Sequence, residues 1–187
     1  MIKFYYGTMG AGKTTELIKT YDIYRRKGLE PIILKPAIDT REGKQEGWGI
    51  TTSRITKESV PCYYYNDILD IYKLKNKSIL VDECQFMKPS DVAYLVCYAD
   101  ECNIPLLGYG LKTDVNGNLF EGAKKWLALS DISVELENLC QVEGCTNKAI
   151  LHKRFINGKP DKSTQSIVID GVDNVTYLSV CRKHWRE

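Results

Sequence analysis

The stretch Gly7-Thr8-Met9-Gly10-Ala11-Gly12-Lys13-Thr14 decides the fold. It matches the G-x-x-x-x-G-K-[ST] pattern of a phosphate-binding loop, which needs a strand before it and a helix after it. The β-branched and aromatic run Ile2–Tyr6 predicts that strand, and apolar side chains at helical spacing continue from the loop to a stop at Gly28. The context therefore favours a nucleotide-binding α/β fold over a turn that is glycine-rich by chance.

The residue types of this loop suit a bound triphosphate. Glycines let successive backbone N–H groups turn toward phosphate oxygens, and the helix N-terminus adds partial positive charge. We expect Lys13 to reach the β- and γ-phosphates and the Thr14 hydroxyl to take one position on Mg²⁺. The residues predicted to contact the nucleotide here are Gly7, Thr8, Met9, Gly10, Ala11, Gly12, Lys13, Thr14 and Thr15.

Composition limits the class of protein. The chain has 187 residues, a formal net charge of +2 and seven cysteines. Scattered charges with so small a sum do not indicate a polyanion-binding surface, so no nucleic acid partner is expected. Without a signal peptide or a run of 18 apolar residues, we expect a soluble protein with no membrane partner. The odd number of cysteines, with Cys84 and Cys97 in apolar surroundings, favours free or metal-bound thiols in the cytoplasm.

Several further elements can be predicted as far as residue 110. Residues 39–54 are polar and glycine-rich, and we expect residues 42–50 to be a flexible surface loop. Asp39 and Arg41 differ, because they follow a strand end, which is where ligands bind in open α/β sheets. The predicted strands are Pro31–Lys35, Val60–Tyr65, Ser78–Val81 and Ile104–Gly110, and the predicted helices start near Asn66 and at Pro89, the second ending near Asn103.

Two adjacent carboxylates, Asp82 and Glu83, follow the apolar strand at Ser78–Val81. Such a pair alone is more often a solvated loop start. Together with a phosphate loop upstream it indicates a Walker-B site, in which Asp82 holds Mg²⁺ opposite Thr14. Glu83, one residue on, projects differently and need not share the metal.

A change in composition near Leu139 predicts a second, smaller unit over residues 139–187. Cys140-x₄-Cys145 and Cys181-x₂-His184 have the plan of a zinc ribbon, and four protein ligands leave no open position for catalysis. Asn157-Gly158 predicts a hairpin turn between the two pairs. A unit this small buries little apolar surface, so a structural zinc ion is physically reasonable. His152 is most simply a surface or strand residue.

These residues together resemble the type II thymidine kinase family, its bacterial and phage branch above all. The resemblance covers nearly the whole chain, including the zinc-containing architecture shared with the human cytosolic enzyme. It is carried by Gly7–Thr14, Asp39-Thr40-Arg41, Val81-Asp82-Glu83-Cys84-Gln85-Phe86, Gly110-Leu111-Lys112-Thr113-Asp114, Leu119-Phe120-Glu121-Gly122 and Val180-Cys181-Arg182-Lys183-His184.

The resemblance implies a RecA-like, mainly parallel sheet flanked by helices in residues 1–138, and a zinc-ribbon-like lasso domain in residues 139–187. It implies transfer of the γ-phosphoryl group of ATP to the 5′-hydroxyl of thymidine, with deoxyuridine as a possible second substrate, in nucleotide salvage. It also implies a homotetramer and feedback binding of thymidine triphosphate (dTTP). In this family the Glu83 position is the general base.

Further site residues follow from the resemblance alone. The nucleotide would also meet Asp39, Thr40, Arg41, Asp82 and Gln85. The nucleoside would meet the apolar side chains Met9, Phe86, Leu111, Val115 and Phe120, the lasso residues Ser166, Ile167, Val168, Ile169 and Asp170, and Tyr177.

Some residues depart from the family pattern. Ile169-Asp170-Gly171 stands where Ile-Gly-Gly is usual, and two extra residues precede Tyr177, so the register of the lasso contacts stays open. Cys84 replaces a small residue and is interpreted as a buried hydrophobe. From the residues alone, Leu111, Val115 and Phe120 either cap the core or line a pocket.

Two other functions are compatible with parts of the sequence. One is a generic P-loop ATPase, which would consume ATP without a nucleoside. The other is a nucleic-acid-binding zinc ribbon joined to a nucleotide switch, with a basic face made of Lys148, Lys153, Arg154, Lys159 and Lys162.

Overall fold

The larger part of the fold is a mostly parallel sheet. The computed structural model describes residues 1–37, 47–65, 77–161 and 174–187. Within these residues the larger sheet has seven strands in the order β3-β4-β2-β5-β6-β1-β7, with only the β3–β4 pair antiparallel. Its strands are β1 Ile2–Tyr6, β2 Ile32–Pro36, β3 Gly47–Thr52, β4 Ser59–Tyr65, β5 Ile79–Val81, β6 Leu106–Gly110 and β7 Ile132–Glu135.

Helices pack on both faces of this sheet, as the prediction of a mainly parallel α/β fold requires. The side chains of Leu17 and Ile18 pack on one face with Ile33 of β2, while the opposite face holds a second apolar cluster that includes Trp126. Alternate strand residues supply the two clusters because successive side chains point to opposite faces. The helices are α1 Lys13–Arg26, α2 Pro89–Glu101, α3 Glu121–Leu129 and the short α4 Arg182–Arg186.

The expectation of a flexible loop at residues 42–50 is wrong for its described part. Residues Gly47–Thr52 form β3, an edge strand paired along its whole length with β4. The two glycines of this strand hide the alternation of apolar and polar side chains that is typical of a strand. Its backbone is paired with β4, a partner that the local sequence does not reveal. The strand predicted at Val60–Tyr65 is therefore the fourth in chain order, not the third.

Two elements between residues 121 and 135 were not predicted from the sequence. Helix α3 packs Ala123 and Trp126 into the core, and β7 adds a parallel edge strand beside β1. The ring of Trp126 lies against β6 at Gly108, where a Cβ atom would come within 2.8 Å of the ring. The spacing of Ala123, Trp126 and Leu127 was the signal that would have identified this helix.

A second sheet is built from residues after 150. Its order is β10-β8-β9, all antiparallel, with strands β8 Leu151–Ile156, β9 Lys159–Pro160 and β10 Val175–Val180. The predicted hairpin turn at Asn157-Gly158 is confirmed, because both residues have positive φ, 51° and 74°, as a tight two-residue turn requires. None of the helices in the described residues is long and apolar enough to cross a bilayer.

Candidate active site and metal centre

The phosphate loop leaves the carboxyl end of β1 and runs directly into α1. Gly10 and Gly12 have φ of 79° and 80°, values that L side chains rarely adopt, and α1 starts at Lys13 immediately after them. The Lys13 Nζ atom donates hydrogen bonds to the carbonyl oxygens of Gly7 (3.2 Å) and Thr8 (2.8 Å). The ammonium group thus lies against the backbone of the first two residues of the loop.

Asp82 lies just beyond the end of β5, with its carboxylate buried. Its side chain is 3% exposed, and Oδ2 accepts a hydrogen bond of 2.7 Å from the Thr51 hydroxyl of β3. Its Oδ1 accepts from the backbone N–H of Glu83 at 3.1 Å. These contacts fix the direction of a carboxylate that has suitable donor atoms for Mg²⁺.

Glu83 points in a different direction from Asp82. Its φ of 51° is left-handed, which turns the chain sharply into a short 3₁₀ helix at Cys84–Phe86. The Gln85 Nε2 atom donates to Glu83 Oε2 at 2.7 Å, while Gln85 Oε1 accepts from the Leu111 N–H at 3.0 Å. Gln85 therefore ties the Glu83 carboxylate to the end of β6.

The close approach of this turn to β6 depends on Gly110. A Cβ atom there would lie 2.5 Å from Gln85 Oε1 and 2.9 Å from the Cys84 sulfur.

Cys84 is buried, as expected of a small hydrophobe, and burial together with the charges of Asp82 and Glu83 raises the pKa of its thiol. Cys97, by contrast, is exposed, so the expectation of apolar surroundings for it is wrong.

Strand β3 and the residue that follows it supply two hydroxyl groups that sequence reasoning missed. Besides Thr51, the Ser53 hydroxyl just after the strand lies 2.8 Å from the Thr15 hydroxyl of α1. Thr51 and Ser53 thus connect this edge of the sheet to the carboxylate of Asp82 and to α1. Only pairing between distant segments brings these side chains together, so no local pattern predicts it.

The apolar side chains expected around a nucleoside fall in two places. Phe86 and Phe120 form an edge-to-face pair with ring centroids 5.7 Å apart, and both rings are partly exposed. Phe120 also packs against the core, which is one of the two roles left open by the sequence. The Val115 carbonyl accepts a hydrogen bond from the Trp185 indole at 3.0 Å, which joins this loop to α4.

Tyr177 lies on β10, directly opposite the buried Arg154 of β8. Asp39, Thr40 and Arg41, the lasso residues 166–170 and the helix expected near Asn66 lie outside the described residues.

The predicted metal ligands come together. Cys140, Cys145, Cys181 and His184 place one donor atom each within 4.8 Å of one another. The Cys140 sulfur lies 3.3 Å from His184 Nδ1, and the sulfurs of Cys145 and Cys181 are 4.0 Å apart. Three sulfurs and one imidazole nitrogen are the donor set of a tetrahedral zinc site, so this cluster can bind a metal such as zinc.

Comparison with known proteins gives a consistent answer. The family model described as "Thymidine kinase" matches residues 1–185. The chain is 40% identical over 185 residues to a thymidine kinase of Streptococcus pyogenes serotype M3, covering 96% of this chain and 94% of that protein. It is 38% identical over 188 residues to one of Streptococcus agalactiae serotype Ia, with the same coverage.

The chain belongs to the thymidine kinase family. It is therefore a kinase and a transferase, and its reaction is the phosphorylation of thymidine in nucleotide salvage. The resemblance stated from the sequence motifs is confirmed, and the phosphate loop and the Cys₃His cluster are the parts of this thymidine kinase that its sequence predicted most directly.

His152 has an environment that its sequence context did not suggest. It lies on β8, as one of the two expectations had it, but only 3% of it is exposed, so it is not a surface residue. Burial, with the positive charge of Lys13, lowers the pKa of His152 to about 4. The imidazole is therefore neutral at physiological pH.

A cysteine variant tests the metal centre of this thymidine kinase. We expect Cys181→Ser to lose bound zinc, to lower the melting temperature by roughly 10 °C or more and to raise the KM for thymidine. Elemental analysis, thermal melting and steady-state kinetics measure the three effects. Cys97→Ser, which changes an exposed thiol, is the matched control. Wild-type protein purified without chelator and found to contain no zinc would contradict the assignment.

Proposed function

We propose that phosphoryl transfer from ATP to the thymidine 5′-hydroxyl takes place between the phosphate loop and the two carboxylates that follow β5. The observation that carries this proposal is the arrangement of Lys13 across the loop and of Asp82 and Glu83 held in different directions by separate partners. Phosphoryl transfer depends on positioning and charge neutralisation, and these groups supply both.

In this proposal each group has one role. Lys13 and the loop from Gly7 to Thr15 bind the phosphates, the loop through backbone N–H groups other than that of Met9, which is bound to His152. Thr14 and Asp82 would hold Mg²⁺, which when bound neutralises phosphate charge. Glu83 accepts the proton of the attacking hydroxyl, and Gln85 keeps its carboxylate in place. By family membership Asp39, Thr40 and Arg41 would also contact the nucleotide, and Arg41 would help to neutralise the phosphates.

The nucleoside site proposed here combines apolar and backbone contacts. Phe86 and Phe120 give it a partly exposed aromatic pair suited to a flat ring. The other proposed contacts are Met9, Leu111, Val115, Tyr177 and the lasso residues Ser166, Ile167, Val168, Ile169 and Asp170.

We further propose a division into a kinase domain, residues 1–138, and a lasso domain, residues 139–187, with a structural rather than catalytic zinc ion. The four protein ligands already complete a tetrahedral set, which leaves no position for substrate. The remaining proposals follow from family membership: a homotetramer, feedback inhibition by dTTP and a cytoplasmic location. The cytoplasmic location also agrees with the seven cysteines, which all lie within the described residues and form no disulfide there.

Two observations disfavour the nucleic-acid-binding alternative. Lys148 pairs with the carboxylates of Glu135 (2.7 Å) and Glu137 (3.0 Å), and Arg154 is buried in an ion pair with Asp161. Two of the five cations of the supposed basic face are thus engaged by acids.

The decisive experiment measures ATP consumption across a panel of deoxynucleosides. We expect turnover that depends on thymidine, with deoxyuridine as the next substrate to test, and stoichiometric formation of dTMP and ADP. ATP hydrolysis at the same rate without nucleoside would identify a generic ATPase instead.

Thr51 provides a test of the Asp82 assignment. Thr51→Val keeps the shape of the side chain but removes the hydroxyl that orients Asp82, so we expect a higher Mg²⁺ concentration for half-maximal activity and a loss of about 1–2 kcal/mol of stability. Thr51→Ser restores the hydroxyl and should recover most of both. Activity titrated with Mg²⁺ and denaturant unfolding measure the effects. An unchanged Mg²⁺ requirement in Thr51→Val would contradict the role of this hydrogen bond.

A further inference from the structure

Met9, in the phosphate loop, is hydrogen-bonded by side chains that lie outside the seven-stranded sheet. The Met9 N–H donates to His152 Nε2 at 2.9 Å, and the Met9 carbonyl accepts from the Ser179 hydroxyl at 2.7 Å. The side-chain amide of Asn138 donates to the same carbonyl at 3.0 Å. Both backbone groups of Met9 are therefore bound by side chains that lie more than a hundred residues away in sequence.

The two principal partners form a single structural unit. His152 of β8 and Ser179 of β10 are directly paired across the antiparallel ladder, and both are buried, at 3% and 1% exposed. Side chains of directly paired residues lie close together on one face of a sheet. His152 and Ser179, paired across the two strands, thus hydrogen-bond the N–H and the C=O of Met9, and we call this arrangement the Met9 clamp.

The Met9 clamp is continuous with the metal centre. Ser179 lies two residues before the ligand Cys181, and its N–H donates to the side chain of Gln141 at 2.6 Å. Gln141, which follows the ligand Cys140, donates its own N–H to the Ser179 carbonyl at 2.9 Å. The segments that carry two of the metal ligands therefore also brace the strand that holds Met9.

The clamp requires a neutral histidine. Nε2 accepts a hydrogen bond only when it carries no proton, and then the proton of the ring is on Nδ1. The low pKa of His152, caused by burial and by Lys13, keeps this acceptor available at physiological pH.

We infer that His152 and Ser179 are positioning residues, which hold the backbone N–H and C=O of Met9 and thereby set the shape of the phosphate loop for ATP. The inference rests on the proposed role of that loop. While His152 accepts the Met9 N–H, this group cannot donate to a phosphate, so the backbone at Met9 is held in one orientation and phosphate contacts fall to other groups of the loop. The sheet formed by β8, β9 and β10 thus influences phosphoryl transfer through its hydrogen bonds to the backbone of Met9.

Substitutions at His152 separate positioning from packing. His152→Gln retains an acceptor at the reach of Nε2, whereas His152→Leu fills similar space without one. We expect His152→Leu to lower kcat/KM for ATP about tenfold and His152→Gln to stay within about threefold of wild type. Ser179→Ala, which removes one donor to the Met9 carbonyl, should give a smaller loss of the same kind. Ser59→Ala, in an exposed hydroxyl pair with Thr52, is the control.

A second readout does not depend on turnover. ATP should raise the melting temperature of the wild type and of His152→Gln, and should raise that of His152→Leu and Ser179→Ala clearly less, with zinc content unchanged in all. If His152→Leu and Ser179→Ala melt at a lower temperature but keep wild-type kcat/KM and the full ATP-induced shift, the clamp is only structural and the inference is wrong. The inference is also wrong if His152→Leu and His152→Gln lose kcat/KM for ATP equally. If ATP does not stabilise even the wild type, the proposed phosphate site itself has failed.

Discussion

Replacing Lys13 with alanine should lower kcat for thymidine phosphorylation by several orders of magnitude, about 10³-fold or more. The ammonium group lies against the carbonyl oxygens of Gly7 and Thr8. In the proposed mechanism it neutralises negative charge on the phosphoryl group that is transferred. No neighbouring side chain of the loop carries a positive charge to replace it. Steady-state kinetics with saturating Mg²⁺-ATP and thymidine measure the loss.

Two further measurements keep this result interpretable. Lys19→Ala removes another lysine of α1, one that is exposed and forms an ion pair with Glu16, and should leave kcat within about twofold of wild type. Circular dichroism and melting of Lys13→Ala should show a folded protein. A folded Lys13→Ala enzyme that keeps a tenth of wild-type activity would rule out the assigned role.

The elements that the sequence predicted well are those decided by neighbouring residues. The loop at Gly7–Thr14, the strand before Asp82 and the helix opened by Pro89 each carry their own signal in composition or spacing. The four metal ligands belong to this class too, because two short pairs at ribbon spacing need no knowledge of the fold to be recognised.

The features that escaped prediction depend on contacts between distant segments. Strand β3 exists because β4 pairs with it, and its glycines conceal any alternation. The contacts of Thr51 with Asp82, of Ser53 with Thr15 and of His152 with Met9 join residues from 31 to 143 positions apart. A single histidine or threonine in a strand carries no local sign of such a partner, so its role becomes visible only in the folded chain.

The second large effect separates the two adjacent acids. Glu83→Gln should lower kcat about 10²–10⁴-fold, the usual cost of removing a general base, and added Mg²⁺ should not restore it. Asp82→Asn should also be strongly impaired, but raised Mg²⁺ should recover part of its activity because the substitution weakens a metal site. In Glu83→Gln the side-chain oxygen can still accept from Gln85. In Asp82→Asn the oxygen can still accept from the Glu83 N–H while the amide nitrogen donates to the Thr51 hydroxyl, so the local structure should survive both substitutions. Kinetics over a range of Mg²⁺ concentrations measure the contrast.

Binding measurements complete the test, because a group that acts on the reacting hydroxyl need not anchor either ligand. Glu83→Gln should therefore bind ATP and thymidine with nearly wild-type Kd, as isothermal titration can show. Asp22→Asn, which changes an exposed carboxylate paired with Arg26 on α1, is the control for removal of one negative charge. If Mg²⁺ instead rescues Glu83→Gln and leaves Asp82→Asn unchanged, the two roles are exchanged. The carboxylate held by Gln85 would then bind the metal, and the carboxylate held by Thr51 would accept the proton.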